Sequence, residues 1–120
     1  MRIGVISDTH DRLPFIVKAI EKLNNEKVNL VLHCGDYCAP FVVSSFKNLN
    51  AKMIGVYGNN DAEKELLKKL FLEIGKEIKG SFVKLNVNGF KVALFHGENK
   101  DLLDALIECG FFDLVAYGHT

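Results

Sequence analysis

No charge of one sign predominates in this chain: fifteen lysines and arginines balance fifteen aspartates and glutamates. That balance removes the broad positive footprint of a general nucleic-acid binder and favours a small, locally recognised substrate. Cysteine is scarce and odd in number, three in 120 residues. Cys34 and Cys38 have no second pair with which to build a zinc ribbon, so free thiols in a reducing compartment are expected. Long apolar runs are missing as well. The opening "MRIGVI" is too short for a secretory core or a membrane span, which predicts a cytoplasmic protein without membrane association. There is no internal repeat, no low-complexity tract and no Pro/Ser-rich linker, so one domain over residues 1–120 is expected. With 48% hydrophobic and 25% charged residues the chain sits at the globular average, which excludes disordered, collagen-like and disulfide-scaffold classes. No GxGxxG turn follows the first strand-like run, which argues against a dinucleotide-binding module.

What is present is an alternation of two periodicities. Residues 2–6, 28–32 and 53–57 read as short buried strands. Between them, Ile16, Ile20 and Leu23 fall at helical spacing, with Pro14 in the first turn, which predicts a helix over residues 14–23. A short helix is expected over 41–46 and a longer one over 62–74, stopped by Gly75. The period then changes to two in "FVKLNVNGFKVALF", where Asn88-Gly89 supplies the positive φ angles of a two-residue hairpin turn. A helix over 101–109, ended by Gly110, and a strand over 114–117 complete the series. Strands alternating with helices, interrupted by one antiparallel hairpin, imply an α/β domain with a mixed sheet.

The chemistry-bearing residues stand where strands stop. "VISDTH", "VLHCGD", "GVYGNND", "ALFHGE" and "VAYGHT" place Asp8 and His10, Asp36, Asn59, His96 and His119 at five strand ends. Ligands of open α/β sheets bind outside the carboxyl ends of the strands, so residues scattered in sequence can meet there. Imidazole nitrogen mixed with carboxylate and amide oxygen suits manganese, nickel, cobalt, iron or zinc better than magnesium or calcium. Six ligands exceed the needs of one ion that keeps an open position, and one bridging aspartate would let two ions share the site. Taken singly, Asp8 or Asp61 is more simply a turn former or cap. His33, which matches none of these positions, reads as a buried, hydrogen-bonded core residue, and Cys34 and Cys38 as small hydrophobes.

"VISDTHD", "LHCGDY", "YGNND", "LFHGE" and "YGHT", in this order, resemble the motifs of the calcineurin-like metallophosphoesterase superfamily. The match is best with its small bacterial and archaeal phosphodiesterase branch, to which the retromer subunit vacuolar sorting protein twenty-nine is related. The resemblance covers nearly the whole chain. It implies a mixed β-sheet sandwich flanked by helices in four layers. It also implies that Asp8 and His10 bind one metal, that Asp36 bridges, and that Asn59, His96 and His119 complete a second.

The expected activity is a dinuclear metal-dependent phosphodiesterase. A hydroxide shared by two divalent ions (manganese, nickel or cobalt favoured, iron or zinc admissible) would attack a small phosphate ester, with Asp36, Asn59 and His96 most directly engaged. Around them, Asn60, Asp61 and Arg12 are expected to support ligands or meet substrate, Arg12 being equally readable as a surface residue. A homo-oligomer is compatible with the sequence. The competing reading is a metal-binding interaction scaffold, since fold alone does not assert catalysis; retention of His10, His96 and His119 favours the enzyme.

Two departures from the family pattern stand out. The last motif of the family is GHxH, whose second histidine also binds the first metal, and this sequence stops one residue short of it, which reads as a missing C-terminal part. Many members also carry a histidine after the metal-binding asparagine, placed to act as general acid. Asn60 stands there and has no proton to give at a useful pKa.

Overall fold

The computed structural model describes residues 2–118. Four short strands, β1 (Ile3–Ile6), β2 (Leu30–His33), β3 (Lys52–Gly55) and β4 (Glu77–Ile78), pair in parallel in that spatial order. Parallel neighbours require crossovers, and these are helical. Helix α1 (Leu13–Asn25) links β1 to β2, a 3-10 helix (Pro40–Asn48) links β2 to β3, and α2 (Lys64–Glu73) links β3 to β4. A second, three-stranded sheet follows, in which β5 (Phe82–Val87) pairs antiparallel with β6 (Phe90–Phe95), and β6 pairs in parallel with β7 (Leu114–Ala116) after α3 (Lys100–Glu108).

The central strand β2 explains the layering. All four of its residues are buried, as expected of a parallel strand covered on both faces. Val31 turns towards the helices and packs in one core cluster with Ile16 and Ile20 of α1, Val42 and Phe46 of the 3-10 helix, Met53 of β3, and Leu67 and Phe71 of α2. Leu30 and Leu32 turn the other way and meet Val87, Val92, Leu94 and Ala116 of the second sheet. Period-two alternation along one strand thus separates a helical layer from a sheet-on-sheet core. Truncating an aromatic of the first cluster such as Phe71 to alanine would cost about 3–5 kcal/mol.

The strands therefore divide into one parallel and one mixed sheet, the two-sheet arrangement flanked by helices that the family resemblance implies. Most elements appear where the pattern predicts them. The hairpin turn has φ +51 at Asn88 and +90 at Gly89, as a two-residue turn with both central residues left-handed requires. The segment expected as a short helix at 41–46 is a 3-10 helix over Pro40–Asn48; its Val-Val-Ser-Ser stretch is poor in residues that favour the α form. Helix α2 starts at Lys64 because Glu63 takes a left-handed conformation with φ +50. The expectation for β4 was absent, since two residues with one apolar side chain carry no periodicity. Helix α3 is capped by Asn99, whose side chain accepts from Leu102 N at 3.1 Å, and it contributes no buried residue.

Candidate metal centre

The loops leaving β1 and β2 are stitched together before any side chain is considered. Cys34 N donates to Ile6 O, Asp8 N to Gly35 O and His10 N to Asp36 O, each at 2.9 Å. Pairing thus continues past the strand ends, while four non-glycine residues in these loops adopt positive φ: Asp8 (+54), His10 (+50), Asp36 (+65) and Cys38 (+70). Such conformations are uncommon for residues with a Cβ and concentrate at functional sites.

Asp61 is what holds the second loop in that shape. Its carboxylate accepts from Asp36 N (3.0 Å), Tyr37 N (2.6 Å), Cys38 N (2.8 Å) and Gly58 N (2.7 Å), tying the loop after β2 to the turn after β3. Burial raises its pKa, and those four N–H bonds oppose the rise. The two loops also touch backbone to backbone: a Cβ on Gly35, whose φ is +100, would stand 2.6 Å from Gly58 N. Only glycine permits that approach.

On this frame four of the expected ligands converge. Asp8, His10 and Asp36 offer ligand atoms all within 4.8 Å of one another. His10 Nε2 lies 3.9 Å from Asp8 Oδ1 and 4.0 Å from Asp36 Oδ2. His96, fully buried immediately after β6, places Nε2 3.4 Å from Asp36 Oδ2 and 3.8 Å from Asp8 Oδ1. Its other nitrogen, Nδ1, is 2.6 Å from the carbonyl oxygen of Cys34. A carbonyl only accepts, so Nδ1 carries a proton, and the ring turns Nε2 towards the carboxylates. Asp36 is itself almost wholly buried, at 1% exposed. Among the described residues, the basic side chains within 4.0 Å of its carboxylate are imidazoles, with no lysine or arginine. Buried carboxylate oxygens and imidazole nitrogens gathered so closely form a donor set that suits a divalent cation.

Asn59 occupies the exposed turn after β3, between Gly58 and Asn60. Its neighbour Asn60 is the residue seen to hold Asp36, donating from its main-chain N to Oδ1 at 2.9 Å and from its side-chain amide to Oδ2 at 3.0 Å. Arg12 is exposed at the start of α1, with its guanidinium 5.0 Å from the Phe15 ring centre. His119 lies outside the described residues.

Among the neighbours, His33 and Cys34 are buried as expected, while the contacts of Cys38 and Tyr37 escaped the sequence reading. His33 is indeed a core residue: Gly35 N donates to its Nδ1 at 3.0 Å, so Nε2 carries the proton and donates to Thr9 Oγ1 at 3.1 Å. Burial holds its pKa down at about 3, a stronger influence than the opposing pull of Asp8. Cys34 is buried as expected, but Cys38 is only half-buried and sets its Sγ 3.1 Å from His10 Nδ1. Burial, reinforced by Asp11, Asp36, Asp61 and Asp8, pushes the Cys38 thiol up to about 11. Beneath the site the Tyr37 ring stacks 4.0 Å from His33, and its hydroxyl has no hydrogen-bond partner among the described residues. A surface cleft lined by Asn24, Lys27, Asn29, Asn50 and Lys52 opens at the amino ends of β2 and β3, away from this centre.

Carboxylates and imidazoles gathered at the carboxyl ends of strands, in a two-sheet frame backed by helices, mark an α/β protein with a candidate nitrogen–oxygen cation site. Comparison with known proteins narrows this class. Residues 1–120 match the calcineurin-like phosphoesterase superfamily domain, and the chain belongs to that superfamily. It is 46% identical over 121 residues to a phosphodiesterase of Methanocaldococcus jannaschii, spanning all of this chain and 73% of the relative. A probable metallophosphoesterase of the same organism is 37% identical over 102 residues, which cover 82% of this chain and 44% of the relative. Among solved structures, an archaeal phosphodiesterase superimposes with a TM-score of 0.95 at 44% identity, covering 100% of this chain and 73% of the other. Vps29 of Entamoeba histolytica, solved with zinc, superimposes with a TM-score of 0.66 at 18% identity over 99% of this chain and 64% of its own, a likeness of fold alone. Among the described residues no helix is long and apolar enough to cross a membrane.

Proposed function

We propose that this chain is a dinuclear, metal-dependent phosphodiesterase acting on small phosphate esters, with Asp8, His10 and Asp36 holding one divalent ion and Asp36, Asn59, His96 and His119 the other. The observation that carries the reading is the cluster around Asp36: a buried carboxylate faced at 3.4 and 4.0 Å by imidazole nitrogens, with Asp8 alongside. Similarity to the archaeal phosphodiesterase over the whole chain supports the same reading. When bound, divalent ions supply Lewis acidity, lowering the pKa of water towards about 7 so that hydroxide is available as nucleophile, and neutralising charge on phosphate oxygens. The mixed donor set favours manganese, nickel or cobalt over magnesium.

The chain's own contribution is to prepare this place. Asp61 fixes the backbone of the loop bearing Asp36, and the Cys34 carbonyl fixes the His96 tautomer, so nitrogen lone pairs and carboxylate oxygens converge before any ligand arrives. Asn60 orients the Asp36 carboxylate by two hydrogen bonds and offers no acid to a leaving group. Hydrolysis should therefore favour esters whose leaving oxygen departs as a stable anion.

The test is hydrolysis of bis(4-nitrophenyl) phosphate by chelated protein after readdition of single metals. Manganese, nickel or cobalt should restore turnover well above the magnesium level. Full metal binding with no hydrolysis of any phosphate ester would favour the scaffold reading instead.

A further inference from the structure

We infer that Cys38 is a positioning residue for His10: its sulfur accepts the Nδ1 proton of the His10 ring and so commits Nε2 to the cation. The inference rests on the reading of His10 as a metal ligand and goes beyond it by naming what orients that ligand. Three observations converge. Cys38 Sγ lies 3.1 Å from His10 Nδ1, while the opposite ring nitrogen lies 3.9 and 4.0 Å from Asp8 and Asp36. The two ring nitrogens diverge, so the thiol and the carboxylates occupy opposite sides of the imidazole, and Cys38 stands behind the ring without competing for the ion. The position of Cys38 is also imposed by its surroundings. Its φ is +70, its main-chain N donates to Asp61 Oδ1 at 2.8 Å, and its carbonyl accepts from Ala62 N at 3.1 Å.

His96 offers the internal comparison, because its Nδ1 is likewise held from behind, by the Cys34 carbonyl. A metal-ligating histidine usually gives its second N–H to a carboxylate, a carbonyl or water. Sulfur is a weaker acceptor than any of these, so His10 is the more loosely oriented ring of the two. Its side chain is 38% exposed where that of His96 is fully buried, and the difference in partner matches the difference in burial.

Two measurements on the intact chain decide the matter. Chelator competition with manganese or zinc should show metal affinity reduced by about 10–100-fold in Cys38→Ala, with Cys38→Ser, whose hydroxyl can still accept, recovering most of it. Nitrogen-15 spectra of the metal-free wild type at alkaline pH, with the His10 ring assigned through His10→Ala, should already show the proton on Nδ1, and a proton on Nε2 would overturn the inference. This readout is independent of whether the alanine variant folds. Wild-type affinity in Cys38→Ala, together with loss of metal in His10→Ala, would overturn the role of Cys38 and leave the metal centre standing. Wild-type affinity in His10→Ala would overturn the centre itself.

Discussion

A single methyl group added at Gly58 should disable the site while leaving the fold largely intact. Gly58 does not have a positive φ, so alanine brings no backbone strain. The consequence is purely steric. A Cβ there would stand 2.5 Å from Asp36 N and 2.8 Å from Asp36 Cγ, with Oδ1 also in its path, whereas ordinary contact begins near 3.4 Å. The Asp36 carboxyl carbon must retreat by about 0.6 Å and its main chain by about 0.9 Å, or the turn must shift by as much. Misplacement near 1 Å at a reacting centre can cost about 100-fold, while overpacking costs about 1–3 kcal/mol of stability. Gly58→Ala is thus expected to remain folded by circular dichroism with a lowered melting temperature, and to lose at least tenfold in manganese affinity by competition with a chelator. Wild-type affinity and turnover in a folded Gly58→Ala protein would refute the claim that the close approach of these loops sets the Asp36 carboxylate.

Other outcomes follow from individual groups. His33 is neutral in the fold with its pKa near 3 and takes up a proton near 6.5 when unfolded. The unfolded chain therefore binds more protons between those values, and stability is full above pH 6.5 and falls as pH drops through that window. The loss from this one group is about 2 kcal/mol by pH 5; urea titrations of metal-free protein should show it, and a His33→Phe variant with the same pH slope would contradict it. Tyr37→Phe removes a buried hydroxyl that lacks a partner, so it should be neutral or stabilising, by up to about 1–3 kcal/mol. A clear drop in melting temperature would show that the hydroxyl is satisfied. Without an acid at position 60, rates should depend steeply on leaving-group pKa, with aryl phosphodiesters well ahead of alkyl phosphomonoesters. Asn60→His should flatten that dependence, since proton donation is worth about 10²–10⁴, though it also removes the amide bond to Asp36 Oδ2. Equal rates on both ester classes in the wild type would show that another group supplies the proton.

The parts of this architecture that were legible in the sequence are those governed by local pattern. Ile16 and Ile20 announce α1 by spacing, Asn88-Gly89 announces the hairpin, and several strand ends place their Asp, Asn or His beside a glycine. The convergence of Asp8, His10 and Asp36 could be anticipated because parallel strands β1 and β2 deliver their carboxyl ends to one edge, whereas His96 arrives from β6 of the facing sheet. What escaped depends on contacts between distant loops. Asp61, expected to support a ligand, instead holds the main chain of residues 36–38 across more than twenty positions, a contact its local sequence does not reveal. The contact of Cys38 with His10 spans 28 positions and leaves no periodic trace. Strand β4 is too short to carry a pattern, and it exists because the edge of β3 and the end of α2 place Glu77–Ile78 in register with Ile54 and Gly55.

Whether Asp36 is the carboxylate shared by two cations is read most directly from metal stoichiometry. Wild-type protein, stripped with chelator and dialysed against manganese, should retain two equivalents by elemental analysis, Asn59→Ala close to one, and Asp36→Asn close to none. Two full equivalents retained by folded Asp36→Asn would contradict the shared-carboxylate centre.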